Sequence, residues 1–132
     1  MRRRRLPPEL TDPYAVFCAQ VERLEQARAA LMSCLPVGRV DPVPVPVGLD
    51  LLADTLAGIL RDMPGWQVDA VAQQWSDCVV AINESLAHMP RARHVAETSQ
   101  ELEELLGAVD DVDEPLGYAF GRAERHWRSL RR

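Results

Sequence analysis

Apolar residues recur at intervals of three and four along most of this chain, a spacing typical of one buried face of an α-helix. The first such stretch covers 13–35, where Pro13 suits a first helical turn and Thr11 or Asp12 can cap it. Arg28 interrupts the apolar face of this helix. The apolar residues of the predicted face are Phe17, Val21, Leu24, Leu31 and Leu35.

A strip rich in proline and valine, 36–48, follows this helix and is predicted to be extended, because alternating prolines lack the amide hydrogens that a helix needs. A dozen extended residues reach about 37 Å, and a helix of the predicted length is about 34 Å long. The strip can therefore lead either to an antiparallel neighbour or along the whole first helix to a parallel one. It lacks the PxxP spacing that proline-reading domains recognise, so we interpret it as a spacer.

The helical spacing predicts four further helices, and prolines mark boundaries between them, among them Pro90 and Pro115. The predicted ranges are 48–63, 66–89, 91–110 and 114–131. The third of these ranges has two candidate starts, one at Arg91 and one at a capping box that runs from Thr98 to Glu101. No stretch outside the proline strip alternates as a strand does, so we predict an all-α bundle of four or five helices with coiled-coil-like seams.

Length and composition indicate one globular domain. The chain has 132 residues, of which 47% are hydrophobic and 27% charged. We predict a helical domain over 13–132, preceded by a flexible basic arm over 1–12. No apolar run approaches the roughly 20 residues of a membrane span, and no apolar core of a signal peptide follows the first arginines. The three cysteines are far apart and form no C-x-x-C pair, so we expect reduced thiols in a cytoplasmic protein.

Charge is distributed unevenly along the chain. All fifteen Lys and Arg positions are arginine, and nine of these lie within 1–5 and 122–132. Each of these two segments carries +4, whereas 6–121 carries −13. A GC-rich genome explains the missing lysine, because lysine codons are A-rich, but it does not explain where the arginines stand. The candidate partner-binding or anion-binding residues are Arg2, Arg3, Arg4, Arg5, Arg122, Arg125, Arg128, Arg131 and Arg132.

Two structural explanations of the second arginine segment stay open. Cations near the C-terminus of a helix complement the helix dipole. They can also pair with the acidic run 97–114, which holds eight acids and no base. The first segment, 1–5, precedes any predicted helix and has neither explanation.

Signals for catalysis or metal binding are incomplete. His94, Glu97 and Glu101 share one helix face only if their helix starts early, and a di-iron bundle needs the Glu-x-x-His motif on two helices. The acids of 110–114 do not match a calcium-binding loop, because Leu116 stands where glycine is required. Nothing resembles a nucleophile elbow, a phosphate-binding loop or a metalloprotease helix. We predict no catalytic residue, no cofactor and no metal site.

The sequence favours a non-catalytic helical module that binds a protein partner or a second copy of itself. Gly117 and Gly121 each cost roughly 1 kcal/mol of helix propensity, which indicates a close contact there, with Trp66, with Trp75 or across a dimer. The candidate interface residues are Met63, Met89, Leu106, Gly117, Gly121, Trp127 and Leu130.

Two alternative functions stay open. The first is a nucleic-acid-associated regulator that uses the arginine-rich segments. Its recognition helix is not expected after the turn 63–66, because the helix that follows begins with acids and no arginine. The second alternative is a bundle that binds a small ligand or a metal, with His94, Glu97 and Glu101 as its only candidate site.

Overall fold

The computed structural model describes residues 4–37 and 43–132. Four α-helices make up its body, and the described residues contain no strand, so the prediction of an all-α bundle is confirmed. The helices are α1 (Thr11–Ser33), α2 (Val45–Asp62), α3 (Ala72–Thr98) and α4 (Leu102–Ser129). Short 3-10 turns occupy Pro8–Leu10, Met63–Trp66 and Asp69–Val71. Within the described ranges, no helix is both long and apolar enough to cross a membrane.

Successive helices run antiparallel, and α4 returns beside α1. Gly48, near the start of α2, lies against Leu31, near the end of α1, so the strip after α1 leads into a hairpin and not into a parallel crossover. The middle of that strip, 38–42, lies outside the described residues. Ion pairs join each neighbouring pair of helices: Arg23–Asp62, Arg93–Asp50, Arg91–Asp111 and Arg28–Asp113. The bundle is therefore of the up-down-up-down type.

An aromatic cluster fills the core near the start of α1 and the end of α4. The Phe17 ring lies 4.9 Å from the Trp66 ring in an edge-to-face arrangement and 6.3 Å from the Phe120 ring. Tyr14 packs on Trp127, with their ring centroids 5.3 Å apart. Edge-to-face and offset aromatic pairs add about 0.5–1.5 kcal/mol each beyond the area that they bury. The cluster therefore packs the end of the bundle at which α1 begins and α4 ends.

Two predicted helix boundaries are wrong, because α3 and α4 continue through their prolines. Pro90 lies inside α3 and Pro115 lies inside α4. Each proline removes one helical hydrogen bond and costs about 3 kcal/mol or more in a helix interior. The apolar face keeps its phase across both positions, however, with Met89 and Ala92 buried on either side of the exposed Pro90. Continuous burial against the neighbouring helices therefore outweighs the proline penalty, and 4–37 together with 43–132 form four α-helices.

The starts of the helices also differ from the predictions. Two starts were considered for the helix after Pro90, and the later one, at the capping box, is closer to the observed start of α4 at Leu102. In the turn before α4, the Ser99 hydroxyl accepts a hydrogen bond from the Glu101 amide at 3.1 Å and donates one to a Glu104 carboxylate oxygen at 3.0 Å, whereas the N-cap residue, Glu101, makes no side-chain cap hydrogen bond. Thr98, the predicted cap, instead ends α3. Elsewhere, α2 starts three residues earlier than predicted and α3 starts six residues later.

Candidate functional site

The two arginine-rich segments meet in space. The Arg5 amide donates a hydrogen bond to the Arg132 carbonyl oxygen at 3.0 Å, and the Arg132 amide donates one to the Arg5 carbonyl oxygen at 2.9 Å. This reciprocal pair is the hydrogen-bonding pattern of neighbouring antiparallel strands. In this structure Arg5 is therefore joined to the end of the bundle, and the last two residues of the predicted arm, Thr11 and Asp12, belong to α1; the flexibility of the arm stays a prediction. Arg2 and Arg3 lie outside the described residues.

Apolar anchors on either side of the Arg5–Arg132 pair explain why it forms. Leu10, in the turn before α1, is buried, and Leu6 packs against the core. On the other segment, Leu130 follows the last residue of α4 and also packs against the core. Burying these side chains fixes the course of both segments over the same end of the bundle, and the main-chain hydrogen bonds then join them.

The joined segments enclose an open cleft of about 540 Å³, which we call the arginine cleft. Its lining residues are Arg4, Arg5, Leu6, Thr11, Tyr14 and Arg131. Three of these residues carry guanidinium groups and two carry hydroxyls, and no acidic side chain is among the described lining residues. Four other clefts on the bundle each include at least one carboxylate. Of these five clefts, the arginine cleft is therefore the best suited to an anionic group.

Tyr14 holds one of the cleft arginines in place. The Arg131 guanidinium donates a hydrogen bond to the Tyr14 hydroxyl at 3.2 Å and lies 5.7 Å from the centre of the ring. The pKa of Tyr14 is raised above its ordinary value, first by a hydrogen bond with the Cys18 side chain and then by burial, while Arg131 acts in the opposite direction. The phenol therefore stays protonated at neutral pH. A cation over an aromatic face is stabilised by roughly 0.5–1 kcal/mol at an exposed site.

The remaining arginines of 122–132 are directed toward their own neighbours. Arg122 donates to the Tyr118 hydroxyl at 3.2 Å. Arg125 lines a separate cleft of about 610 Å³ that also contains three carboxylates. Arg128 pairs with Glu124 at 2.9 Å. The predicted set of nine arginines thus divides: Arg4, Arg5 and Arg131 share one cleft, Arg132 closes it through its main chain, and the other three described members lie apart.

An acidic turn stands at the opposite end of the bundle. We use this name for 97–104, whose four acids are exposed: Glu97, Glu101, Glu103 and Glu104. The 28 residues of α4 separate this turn from the arginine cleft by about 40 Å. Further along the acidic run 97–114, Asp111 pairs with Arg91 and Asp113 pairs with Arg28. Between the described residues, no ion pair joins this run to 122–132.

Comparisons with protein-family models, with curated proteins and with solved structures found no match to this chain. A function can therefore be inferred only from the contacts, charges and exposure of its own residues. The arginine cleft is the strongest of these features, because it gathers residues from both arginine-rich segments.

The residues considered for a metal site are not brought together. His94 and Glu97 lie on α3 and line a shallow cleft, whereas Glu101 lies in the turn beyond the end of that helix. The described residues include no group of three or more side chains placed to hold a metal ion. The shared helix face that the sequence left open therefore does not form.

The predicted interface residues are mostly internal. Met63, Met89 and Trp127 are buried in the core of the chain itself, and Leu106 and Leu130 are partly buried. The first three therefore have almost no exposed surface in this structure with which to meet a partner.

The close contact predicted at Gly117 and Gly121 involves arginine, not tryptophan. A Cβ atom added at Gly117 would lie 2.6 Å from the Arg28 guanidinium. One added at Gly121 would lie 3.6 Å from Arg125, at ordinary contact distance. Gly117 therefore makes room for Arg28, whose guanidinium pairs with Asp113.

Sequence reasoning missed the neutral half of the arginine cleft. Leu6, Thr11 and Tyr14 line it, and none of the three was considered as a binding residue, Thr11 being named only as a candidate cap of the first helix. Tyr14 precedes Phe17 by three residues, so the helical spacing already placed it beside the apolar face of α1. The cleft itself has no local signal, because it depends on a contact between residues at the two arginine-rich segments.

Proposed function

We propose that this protein is a non-catalytic helical module that binds an acidic segment of a protein partner in the arginine cleft. The observation that carries this proposal is the reciprocal Arg5–Arg132 hydrogen bonding, which gathers three cleft arginines where no carboxylate opposes them. Guanidinium groups hold carboxylates through paired, charge-assisted hydrogen bonds. The hydroxyls of Thr11 and Tyr14 can hydrogen-bond the same ligand.

A protein partner fits the charge distribution better than a nucleic acid does. Phosphate contacts dominate nucleic-acid affinity and require an extended basic surface. Here Arg122, Arg125 and Arg128 are directed to neighbours outside the cleft, so the basic surface stays local. The body, 6–121, carries −13 and would repel a long polyanion. A short acidic segment needs only the cleft itself.

A cytoplasmic location is part of the same proposal. The three cysteines are free thiols, and Cys34 and Cys78 are buried within the bundle. Unpaired buried thiols are typical of proteins that fold in a reducing compartment.

Fluorescence anisotropy with a labelled oligoglutamate peptide tests the proposal. The peptide is titrated with the wild-type protein, with R4Q/R5Q/R131Q, and with the charge-matched control R61Q/R91Q/R122Q, whose arginines are exposed elsewhere. Exposed charge pairs contribute about 0.2–1 kcal/mol each, so losing three should weaken binding by roughly tenfold. The control should bind as the wild type does.

Two results would overturn the proposal. One is equal peptide affinity for the cleft variant and the control variant. The other is tighter binding of an oligothymidylate with the same number of charges than of the peptide, which would favour the nucleic-acid alternative. Titrations at about 20 mM and about 300 mM NaCl show whether the contact is electrostatic, because salt screens exposed charges over these ranges.

A further inference from the structure

We propose that the acidic turn of a second copy of this chain occupies the arginine cleft, so that copies associate head to tail. This inference rests on the proposed function and names its partner. It is carried by charge complementarity between the two ends of one molecule and by an apolar contact that accompanies it.

The charges at the two ends are complementary and unpaired within the molecule. Among the described residues, the four glutamates of the acidic turn form no ion pair, and Glu104 is engaged only by the Ser99 hydroxyl. At the other end, Arg4, Arg5 and Arg132 form no ion pair in the described structure, and Arg131 is held by Tyr14. The two sets lie about 40 Å apart along α4 and cannot meet within one molecule, whereas a second copy can bring them together.

An apolar side chain stands inside the acidic turn. Leu102, the first residue of α4, is 44% exposed between Glu101 and Glu103. Beside the arginine cleft lies a second cleft of about 520 Å³, whose apolar lining includes Leu10, Val68 and Leu130. Placing Leu102 of one copy in this second cleft of the next would remove it from water while its flanking glutamates reach the arginines.

Two carboxylates help to set the orientation of this contact. Glu9 and Asp69 line the second cleft, which we call the apolar cleft, whereas no described carboxylate lines the arginine cleft. They repel glutamates placed over the apolar cleft, so the acids of the incoming turn are directed toward the arginines. The two surfaces of the contact differ, and the interface is therefore heterologous. Heterologous contacts form a closed ring only when the rotation from one copy to the next adds up to a full turn. Otherwise they leave an open assembly, so we expect short open oligomers.

Sedimentation velocity of the untagged protein tests this inference. At about 20 mM NaCl the average mass should rise with protein concentration above the 14.8 kDa of one chain, and at about 300 mM NaCl it should return to that value. The cleft variant R4E/R131E and the turn variant E103R/E104R should each be monomeric. The control E22R/E84R, which reverses two exposed acids on other surfaces, should associate as the wild type does.

The decisive sample is an equimolar mixture of the cleft variant and the turn variant. Each retains one intact end, so the mixture should associate even though neither variant does so alone. L102E tests the apolar contact separately and should reduce self-association at least tenfold. Circular dichroism checks that each variant folds. The substitutions of R4E/R131E lie outside the helices, so this variant remains informative if E103R/E104R disturbs the start of α4.

Three results would overturn the inference: a strict monomer at low salt, self-association that survives in either charge-reversed variant, or a mixture that does not associate. The oligoglutamate titration separates this failure from that of the proposed function. A monomer that still binds the peptide through the arginine cleft refutes self-association alone. A protein that neither associates nor binds the peptide refutes both.

Discussion

Replacing Asp113 by Asn should destabilise the bundle, because it breaks the best-buried ion pair between α1 and α4. Arg28 Nε donates to one Asp113 carboxylate oxygen at 2.6 Å, and Nη2 donates to the other at 3.1 Å. The two side chains are 21% and 16% exposed. The pKa of Arg28 is raised, chiefly by the hydrogen bond to Asp113. The Arg28 guanidinium therefore depends chiefly on the Asp113 carboxylate to balance its charge. Glu25 is the other described acid that pairs with it.

The expected loss lies between two known limits. Exposed ion pairs contribute about 0.2–1 kcal/mol, whereas removing one partner of a fully buried pair costs about 3–5 kcal/mol. Because both side chains are mostly but not fully buried, we expect D113N to lower the free energy of unfolding by about 2 kcal/mol. With an unfolding entropy of about 2.1 cal/mol/K per residue, this corresponds to a fall of about 7 °C in Tm.

Urea denaturation followed by tryptophan fluorescence and circular dichroism measures this loss. D62N is the matched control, because Asp62 pairs with Arg23 at an exposed site on the α1–α2 contact, and it should cost less than about 1 kcal/mol. R28M/D113L, which replaces both charges by apolar groups, should recover most of the stability that D113N loses. A D113N protein no less stable than D62N would refute the reasoning, since the Arg28–Asp113 pair would then contribute no more than a surface pair.

Three further outcomes are expected from the packing. Gly107 is helical with open space around it, so G107A should raise the free energy of unfolding by roughly 0.5–1 kcal/mol. G117A should stabilise the protein less, or destabilise it, because the added Cβ meets Arg28. Urea denaturation measures both variants. With a chromogenic disulfide reagent, the exposed Cys18 should react in the native protein, and the two buried thiols only on unfolding. Burial, and secondarily the charge of Asp77, raises the pKa of Cys78 to about 12 from 9.0, so stability should fall between those pH values as the unfolded thiol ionises first. C78V should remove that part of the pH dependence.

The helical pattern predicted most of the fold. Phe17, Leu24 and Leu31 were assigned to the apolar face of the first helix and are buried, because burial of one helix face follows directly from local spacing. The prolines misled the prediction of boundaries. Local propensity disfavours Pro90 inside a helix, but packing against the neighbouring helices over the length of α3 outweighs that local cost.

Less of the candidate site could be predicted. The arginine-rich segments were recognised, but Arg122 and Arg125 were grouped with Arg128 and Arg132 because all four lie in 122–132. Contacts with other elements separate them: Arg125 shares a cleft with acids and with Arg28 of α1. Similarly, Gly117 signalled a close contact, while the partner, Arg28, could be known only from the packing of α1 on α4.

The sequence by itself determined that this chain forms amphipathic helices and that its arginines are concentrated in 1–5 and 122–132, because spacing and charge are properties of neighbouring residues. Only the tertiary structure decided that the described parts of these segments form one surface. Main-chain hydrogen bonds between Arg5 and Arg132 depend on the return of α4 beside α1, a contact between residues far apart in the chain. The same antiparallel course of the helices places the acidic turn at the opposite end of the bundle, which no local pattern of charge could specify.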